Sequence, residues 1–384
     1  MDPMRKDHIL SAQYFIYFGV MGVFLPYFNL YCYHLGFSGT QIGSLSAVRS
    51  LVMIVLPMVW AALADRYSIR RAIFIACSFL SAAAWSLFLV FRAYRPMLLV
   101  TVVYSVFYAP LIAFLEAFAM EVLGGRKKQY GRMRAWGSVA FITVVLVLGR
   151  VLEGRSLGLV VWLILAGSVI QALVACALPP MASRPRGDFR RAARLLLSSR
   201  VIVFLICGFL MLVSHGAYYA FFSIHLAALG FGKSFIGLCW AVASTAEIWA
   251  MFNSGRIFRR FSLRKVLAFS FAVAALRWAG LMWARSFWFL LALQVLHAFT
   301  YGTFHMASIL YMDRLAPPAA KTLGQAVNNA MTYGCGLMAG FFASGFLYER
   351  FGAGTMFAFS VGAALAGGLL FSLFLLGARE KKSA

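Results

Sequence analysis

Charged side chains stand inside long apolar stretches of this 384-residue chain, among them the acids Glu116 and Glu247 and the bases Arg49, Arg134 and Arg277. His215, His297 and His305 occupy similar surroundings. An ionisable group placed in hydrocarbon costs about 2.5 to 3.5 kcal/mol on insertion scales, so such residues are expected to face the interior of a helix bundle and to serve function. Between 287 and 312, Gln294, His297, Tyr301, His305 and Ser308 recur at three-to-four-residue spacing, which puts one polar face on an otherwise apolar helix. Two other segments repeat the pattern, with Gln325, Asn328, Asn329 and Thr332 on one and His215, Tyr218, Tyr219 and Phe222 on the other. A polar stripe can line a water-filled cavity or bond helices to one another. Three stripes together favour the cavity, with Asn328 among the groups that would touch a solute.

Counting charges gives a chemical expectation. Glu116 can neutralise Arg134 and Glu247 can neutralise Arg277, which leaves Arg49 without an acidic partner at depth. With Tyr14, Tyr17, Phe141, Tyr218 and Tyr219 as aromatic neighbours, Arg49 would receive an anionic aromatic or otherwise carboxylated solute through charge-assisted hydrogen bonds. The alternative is that Arg49 snorkels or binds backbone carbonyls. Glu247 and His297 are the groups expected to take up and release a proton, with Arg277 gating them. No nucleotide-binding loop is present, so an ion or solute gradient must supply the energy. The cysteines, Cys32, Cys77, Cys176, Cys207, Cys239 and Cys335, are scattered singly, which indicates neither a disulfide framework nor a metal site. No cofactor is expected.

The elements that would hold these groups are helices. The chain is 63% hydrophobic and 12% charged, with a mean hydropathy of +0.85, against about a quarter charged residues in a soluble domain. Apolar runs long enough to cross about 30 Å of hydrocarbon fall at 10–33, 40–64, 72–91, 97–122, 133–151, 157–178, 201–228, 234–256, 265–284, 287–312, 322–347 and 354–377. They are continuously apolar rather than alternating, which excludes a lipid-facing barrel. The first is followed by further spans and has no small-residue cleavage site, so it reads as a membrane helix rather than a leader.

The net charge of +24 points away from nucleic acid once its placement is considered. With the N-terminus assigned to the cytoplasm, cytoplasmic segments hold about 26 of the 35 basic residues and the opposite loops about seven, which sets both termini inside. The chain also matches itself at a constant offset of 194 residues: Leu35, Gly36 and Phe37 with Leu229, Gly230 and Phe231, Ile42 and Gly43 with Ile236 and Gly237, Ala47 and Val48 with Ala241 and Val242. The segment Ala61–Arg71 aligns without a gap on Gly255–Lys265. Each repeat holds six spans, so the halves share one orientation about an axis along the membrane normal. The expected organisation is a six-helix bundle at 1–178, a Pro- and Arg-rich cytoplasmic linker at 179–200 on anionic headgroups, and a second six-helix bundle at 201–384.

The group Asp65, Arg66, Ser68, Arg70 and Arg71 resembles the loop signature of the major facilitator superfamily, with Ala61 and Ser68 where that pattern usually has glycine. The resemblance implies a gating latch, in which Asp65 pairs with basic groups of a neighbouring helix in one state and releases them in the other; such clusters also set topology. YGRMRAWG at Tyr130–Gly137, preceded by Pro110 and Glu116, resembles the lactose permease family, and implies sugar-contacting roles for Glu116 and Arg134. Arg277, His297 and Glu247 resemble that family's coupling residues, but its proton-carrying carboxylate is replaced by Thr300. A closer resemblance, over nearly the whole chain, is to the phenylpropionate permease group, through FGVMGVFLPYF, SHGAYYAFFS, VLHAFTYGTFH and the arginine at position 49.

These readings lead to an all-α integral membrane protein with twelve transmembrane helices in two pseudo-symmetric bundles, the major facilitator fold. The expected function is secondary transport of a small organic solute across a bacterial inner membrane by alternating access, with proton symport as the expected coupling and an aromatic or other carboxylic acid as the expected substrate. A sugar or nucleoside symporter is the alternative. A membrane-embedded lipid-modifying enzyme lacks support, because the ionisable residues lie at mid-depth in both halves. The expected partners are the solute, protons and membrane lipid, with no nucleic acid, and the chain is expected to be a monomer.

Overall fold

The computed structural model describes residues 3–179 and 198–380, so the expected linker lies almost wholly outside the described residues. The described residues are helical, with no strands among them. The first helices are α1 (Pro3–His34), α2 (Gly39–Tyr67) and α3 (Arg70–Ser86). Next, α4 runs over Tyr94–Arg126, restarting at Pro110, which stands in a first helical turn where its missing N–H costs nothing. Then come α5 (Tyr130–Leu152), α6 (Leu159–Ala175), α7 (Ser199–Ala228), α8 (Lys233–Arg260) and α9 (Leu263–Trp283). The helix α10 is Phe287–Leu315, and the last stretch, Lys321–Phe374, breaks at Gly352, whose φ of 81° and ψ of 179° are not helical. That break divides it into α11 (321–351) and α12 (from 353).

Ten of these stretches are long and apolar enough to span a membrane. Adding the shorter apolar Leu159–Ala175 and counting the stretch divided at Gly352 twice gives the twelve helices expected.

The internal repeat is visible in the backbone. Gly36 and Gly230 both have φ of +86°, and the bonds around them correspond: Leu35, Gly36 and Phe37 donate to the carbonyls of Tyr31, Tyr33 and Cys32, as Leu229, Gly230 and Phe231 donate to those of His225, Ala227 and Leu226. A helix ending in this way needs a left-handed residue just past its last turn, and glycine takes that conformation without steric cost. At Ser68, φ is +56°, so the position where the family pattern usually has glycine does demand a left-handed backbone.

The chain forms two compact units. One comprises α1–α6 together with 223–241, the C-terminal end of α7 and the N-terminal end of α8. The other comprises the remainder of α7 and α8 with α9–α12. In the first unit α1 packs on α5 and α6, and α3 on α4 and α6. In the second, α9 packs on α10 and on the stretch that includes α12. Gly367 and Gly368 of α12 leave room for Phe271 of α9, whose ring a Cβ at Gly367 would approach to 2.6 Å.

Candidate functional site

In the second unit, Arg277 of α9 is fully buried, 0% exposed, so every donor it carries must be satisfied by protein. Its Nε donates to the Leu293 carbonyl at 3.1 Å and its Nη2 to Gln294 Oε1 at 3.0 Å. Its Nη1 reaches Thr300 Oγ1 at 3.2 Å and His297 Nδ1 at 2.9 Å. Below the guanidinium lies the Tyr218 ring, 4.2 Å from Cζ to centroid, and beside it Trp278 at 4.8 Å. Gln294 and His297 come from the polar face of α10 that the spacing predicted, and Thr300 joins them from the position beside Tyr301.

These contacts assign a tautomer. A guanidinium has only donors, so His297 Nδ1 must accept, and the ring's proton sits on Nε2. That nitrogen faces Glu247 Oε2 of α8 at 3.7 Å. Glu247 can come so near because α10 has glycine at 302, where a Cβ would stand 3.2 Å from the Glu247 carbonyl and 3.2 Å from the Ala250 side chain. Next to this chain, His215 Nδ1 donates to the Met211 carbonyl at 2.8 Å, which leaves its buried Nε2 without a hydrogen-bond partner among the described residues.

From His297 a ladder of rings follows α10: His297 stacks on Tyr301 at 5.2 Å, Tyr301 on His305 at 5.9 Å, and His305 Nδ1 meets Tyr333 Oη of α11 at 2.6 Å. Both helices widen to π-turns here, at Ala298–Thr303 and Ala330–Gly336, a distortion often found where helices carry function. Tyr219 lies 6.3 Å from the His297 ring. The structure therefore brings Glu247, Arg277, His297, Tyr218 and Tyr219 together. Asn328 is buried, and its amide is spent on Ser308 of α10 at 3.0 Å, the helix-bonding role that was the alternative for such residues.

The first unit carries two clusters. In one, Arg134 lies over the Phe18 ring at 3.7 Å and near Tyr14 at 5.6 Å. Gly137 makes this possible, since a Cβ there would meet the Phe18 ring at 2.5 Å. Glu116 is exposed and sits beside Tyr130 and Arg134. No ion pair within 4.0 Å joins Glu116 to Arg134 among the described residues. The charge of Arg134 nevertheless acts on Glu116, while its guanidinium lies over the α1 rings.

In the other cluster, Arg49 of α2 faces Phe24 at 4.4 Å and Tyr108 at 5.9 Å. Its Nη2 has only Met21 Sδ, at 3.8 Å, as a hydrogen-bond acceptor, and its buried Nε has none among the described residues. Tyr108 stacks between Tyr17 at 5.3 Å and Tyr104 at 5.0 Å. Of the aromatic neighbours expected for Arg49, Tyr17 belongs to this stack. Tyr14 belongs instead to the Arg134 cluster, Phe141 lies against α1 with its carbonyl facing Gly22, and Tyr218 and Tyr219 surround His297. Phe24, Tyr104 and Tyr108 were not anticipated, although the four-residue spacing of the two tyrosines on α4 marks one face of a helix.

At the α2–α3 turn, Arg70 Nε donates to Asp65 Oδ1 at 2.7 Å. Arg71 donates to the carbonyls of Leu178 at 2.7 Å and Cys176 at 2.8 Å, closing the end of α6, and Arg66 lies 5.5 Å from the Tyr67 ring.

Comparison with known proteins adds relatives to this geometry. The model of the MFS_1 like family matches residues 8–359. A protein of Escherichia coli (strain K12) named "Probable 3-phenylpropionic acid transporter" is 27% identical over 358 residues, 91% of this chain and 93% of the relative. The maltose permease of Geobacillus stearothermophilus is 25% identical over 380 residues, 98% of this chain and 96% of the relative. The crystal structure of the nucleoside transporter NupG superimposes with a TM-score of 0.86 at 18% identity, covering 98% of this chain and 99% of that one, a likeness of fold.

Proposed function

Since the chain belongs to the MFS_1 like family, a multi-pass membrane transporter of small solutes and not an enzyme, we propose that it carries a small carboxylic acid, aromatic in its preferred form, in symport with protons. One observation carries the substrate class: Arg49 has no carboxylate partner among the described residues, and its Nε is buried without an acceptor beside Phe24 and Tyr108. A solute carboxylate would supply the missing acceptor in a two-pronged charge-assisted bond, and its ring would find aromatic faces beside it.

Coupling is assigned to Glu247, His297 and Arg277. While Arg277 donates to His297 Nδ1, the imidazole cannot carry two N–H groups toward it. A proton arriving at His297 must therefore displace Arg277 or pass on to Glu247, so the position of the arginine gates the proton. Thr300 supplies a hydroxyl to Arg277 where the lactose permease family has a carboxylate, which leaves Glu247 as the acid of this cluster.

The placement of basic residues supports a bacterial inner-membrane location with both termini in the cytoplasm, six-helix halves at 1–178 and 201–384, and the Asp65–Arg70 pair at the cytoplasmic end as part of a latch. The exposed Glu116 beside Tyr130 and Arg134 favours a second reading, a hydroxyl-rich solute such as a sugar or nucleoside. Ligand-induced thermal stabilisation of the detergent-purified protein separates the two. The acid reading expects 3-phenylpropionate to raise the melting temperature and maltose and uridine to leave it unchanged; the reverse order would replace it.

A further inference from the structure

The internal repeat is broken at one place where both copies need the same thing, a cap for the first turn of a helix. In the first copy α2 is capped locally: Ser38 Oγ accepts from the Gln41 N–H at 3.3 Å and Gln41 Oε1 accepts from the Ser38 N–H at 3.0 Å. At the offset of 194 these positions are Gly232 and Phe235, which have no side-chain oxygen to offer. The α8 start is capped from elsewhere in the chain. Glu153, just past the end of α5, accepts from the Ser234 N–H at 2.9 Å and from Ser234 Oγ at 2.9 Å. A Cβ on Gly232 would stand 2.7 Å from Glu153 Oε1, so the glycine that gives up the local cap also admits the foreign one.

The exchange runs both ways. Lys233, the first residue of α8, donates from Nζ to the carbonyls of Leu152 at 3.0 Å and Arg155 at 2.8 Å at the end of α5. An anion thus sits on the positive end of one helix and a cation on the negative end of the other. Behind these bonds the backbones nearly touch. A Cβ at Gly149 of α5 would lie 2.9 Å from the Lys233 carbonyl, and one at Gly237 of α8 would run into the Val145 carbonyl. The Tyr27 hydroxyl of α1 reaches the Lys233 carbonyl at 3.2 Å.

We propose that Glu153 and Lys233 form a reciprocal clasp which holds the non-cytoplasmic ends of α5 and α8 shut, and whose release opens that side during the transport cycle. A local cap would persist wherever α8 went, whereas this one exists only while α5 and α8 meet, so its full value falls to the closed state. The proposal rests on the alternating-access function and on the orientation given above; it makes no use of the substrate.

Cys239 is the reporter, because it is fully buried, 0% exposed, two residues beyond Gly237. In protein whose other five cysteines are replaced by alanine, its labelling by a membrane-impermeant maleimide is followed in right-side-out and inside-out vesicles, so that reversed topology and a missing clasp give different patterns. Glu153→Ala should speed labelling from the non-cytoplasmic side about tenfold, the loss of its two hydrogen bonds from Ser234 discounted for their exposure to solvent. Lys233→Met, which leaves the cap in place, should act in the same direction. The double variant Glu153→Ala with Gly232→Ser restores a local cap of the Ser38 kind and relieves the crowding at Gly232, yet should label as fast as Glu153→Ala alone. Return of the double variant to the parent rate would reduce Glu153 to an ordinary helix cap, and parent-like labelling of both single variants would dismiss the clasp.

Discussion

Replacing Arg49 by glutamine tests the substrate assignment most sharply at the level of one residue. Among the described residues the guanidinium presents an Nε without an acceptor and an Nη2 held only by a thioether at 3.8 Å. A solute carboxylate gripped by both would gain two charge-assisted hydrogen bonds of about 1.5 to 3 kcal/mol each. Discounted for partial solvation of the site, a loss of about 3 kcal/mol is expected, roughly a hundredfold in affinity. Arg49→Lys keeps the charge without the fork and should lose about tenfold. Folding should survive both changes, because the stacking of Arg49 on Phe24 at 4.4 Å is worth only about 0.5 to 2 kcal/mol. The assay is concentration-dependent uptake of radiolabelled 3-phenylpropionate into proteoliposomes, with a size-exclusion profile as the check on folding. A well-folded Arg49→Gln protein whose half-saturating concentration lies within twofold of the parent's would refute the reasoning and return Arg49 to a structural role.

Other expectations follow from the same geometry. His297→Asn can keep an acceptor for Arg277 but loses the Nε2 proton that faces Glu247; exchange of solute across the membrane should persist while uphill uptake driven by a pH gradient disappears. Gly340→Leu in α11 should lower thermal stability by about 2 kcal/mol or more, since even a Cβ there would sit 2.6 Å from the Val213 carbonyl of α7, and a melting curve measures it. The Glu153 carboxyl is held below the ordinary carboxylate range, chiefly by the Ser234 N–H and hydroxyl and then by the nearby Lys233. A depressed carboxylate contributes above its unfolded pKa and is lost only as pH falls through the folded one. The clasp should therefore stay charged from about pH 5 upward, and Cys239 labelling should be flat from pH 6 to 8.

Much of the fold was legible because a membrane permits few solutions. The twelve apolar runs had to be helices, and the 194-residue repeat required two like halves; Gly36 and Gly230, with their common φ, carry that symmetry into the backbone. The polar face of α10 was legible for the same reason, since helical spacing alone aligns Gln294, His297 and Tyr301. Pairing across helices was not. Arg134 was matched to Glu116 by charge, but a glycine at 137 lets Phe18 slide beneath it, and no count of charges contains that packing. The surroundings of Arg49 depend on how α1, α2 and α4 meet, which sets Phe24 and Tyr108 beside it while Tyr218 and Tyr219 gather round His297. Asn328 shares a stripe with its neighbours in sequence, yet its partner Ser308 lies on another helix.

The central claim, a carboxylate moved together with protons, is tested most directly by uptake of 3-phenylpropionate into proteoliposomes made alkaline inside, with protein-free liposomes correcting for permeation of the neutral acid. The account predicts protein-dependent accumulation above the external concentration that collapses when a protonophore removes the gradient. Uptake that matches the protein-free control, while uridine or maltose accumulates in the same vesicles, would contradict it.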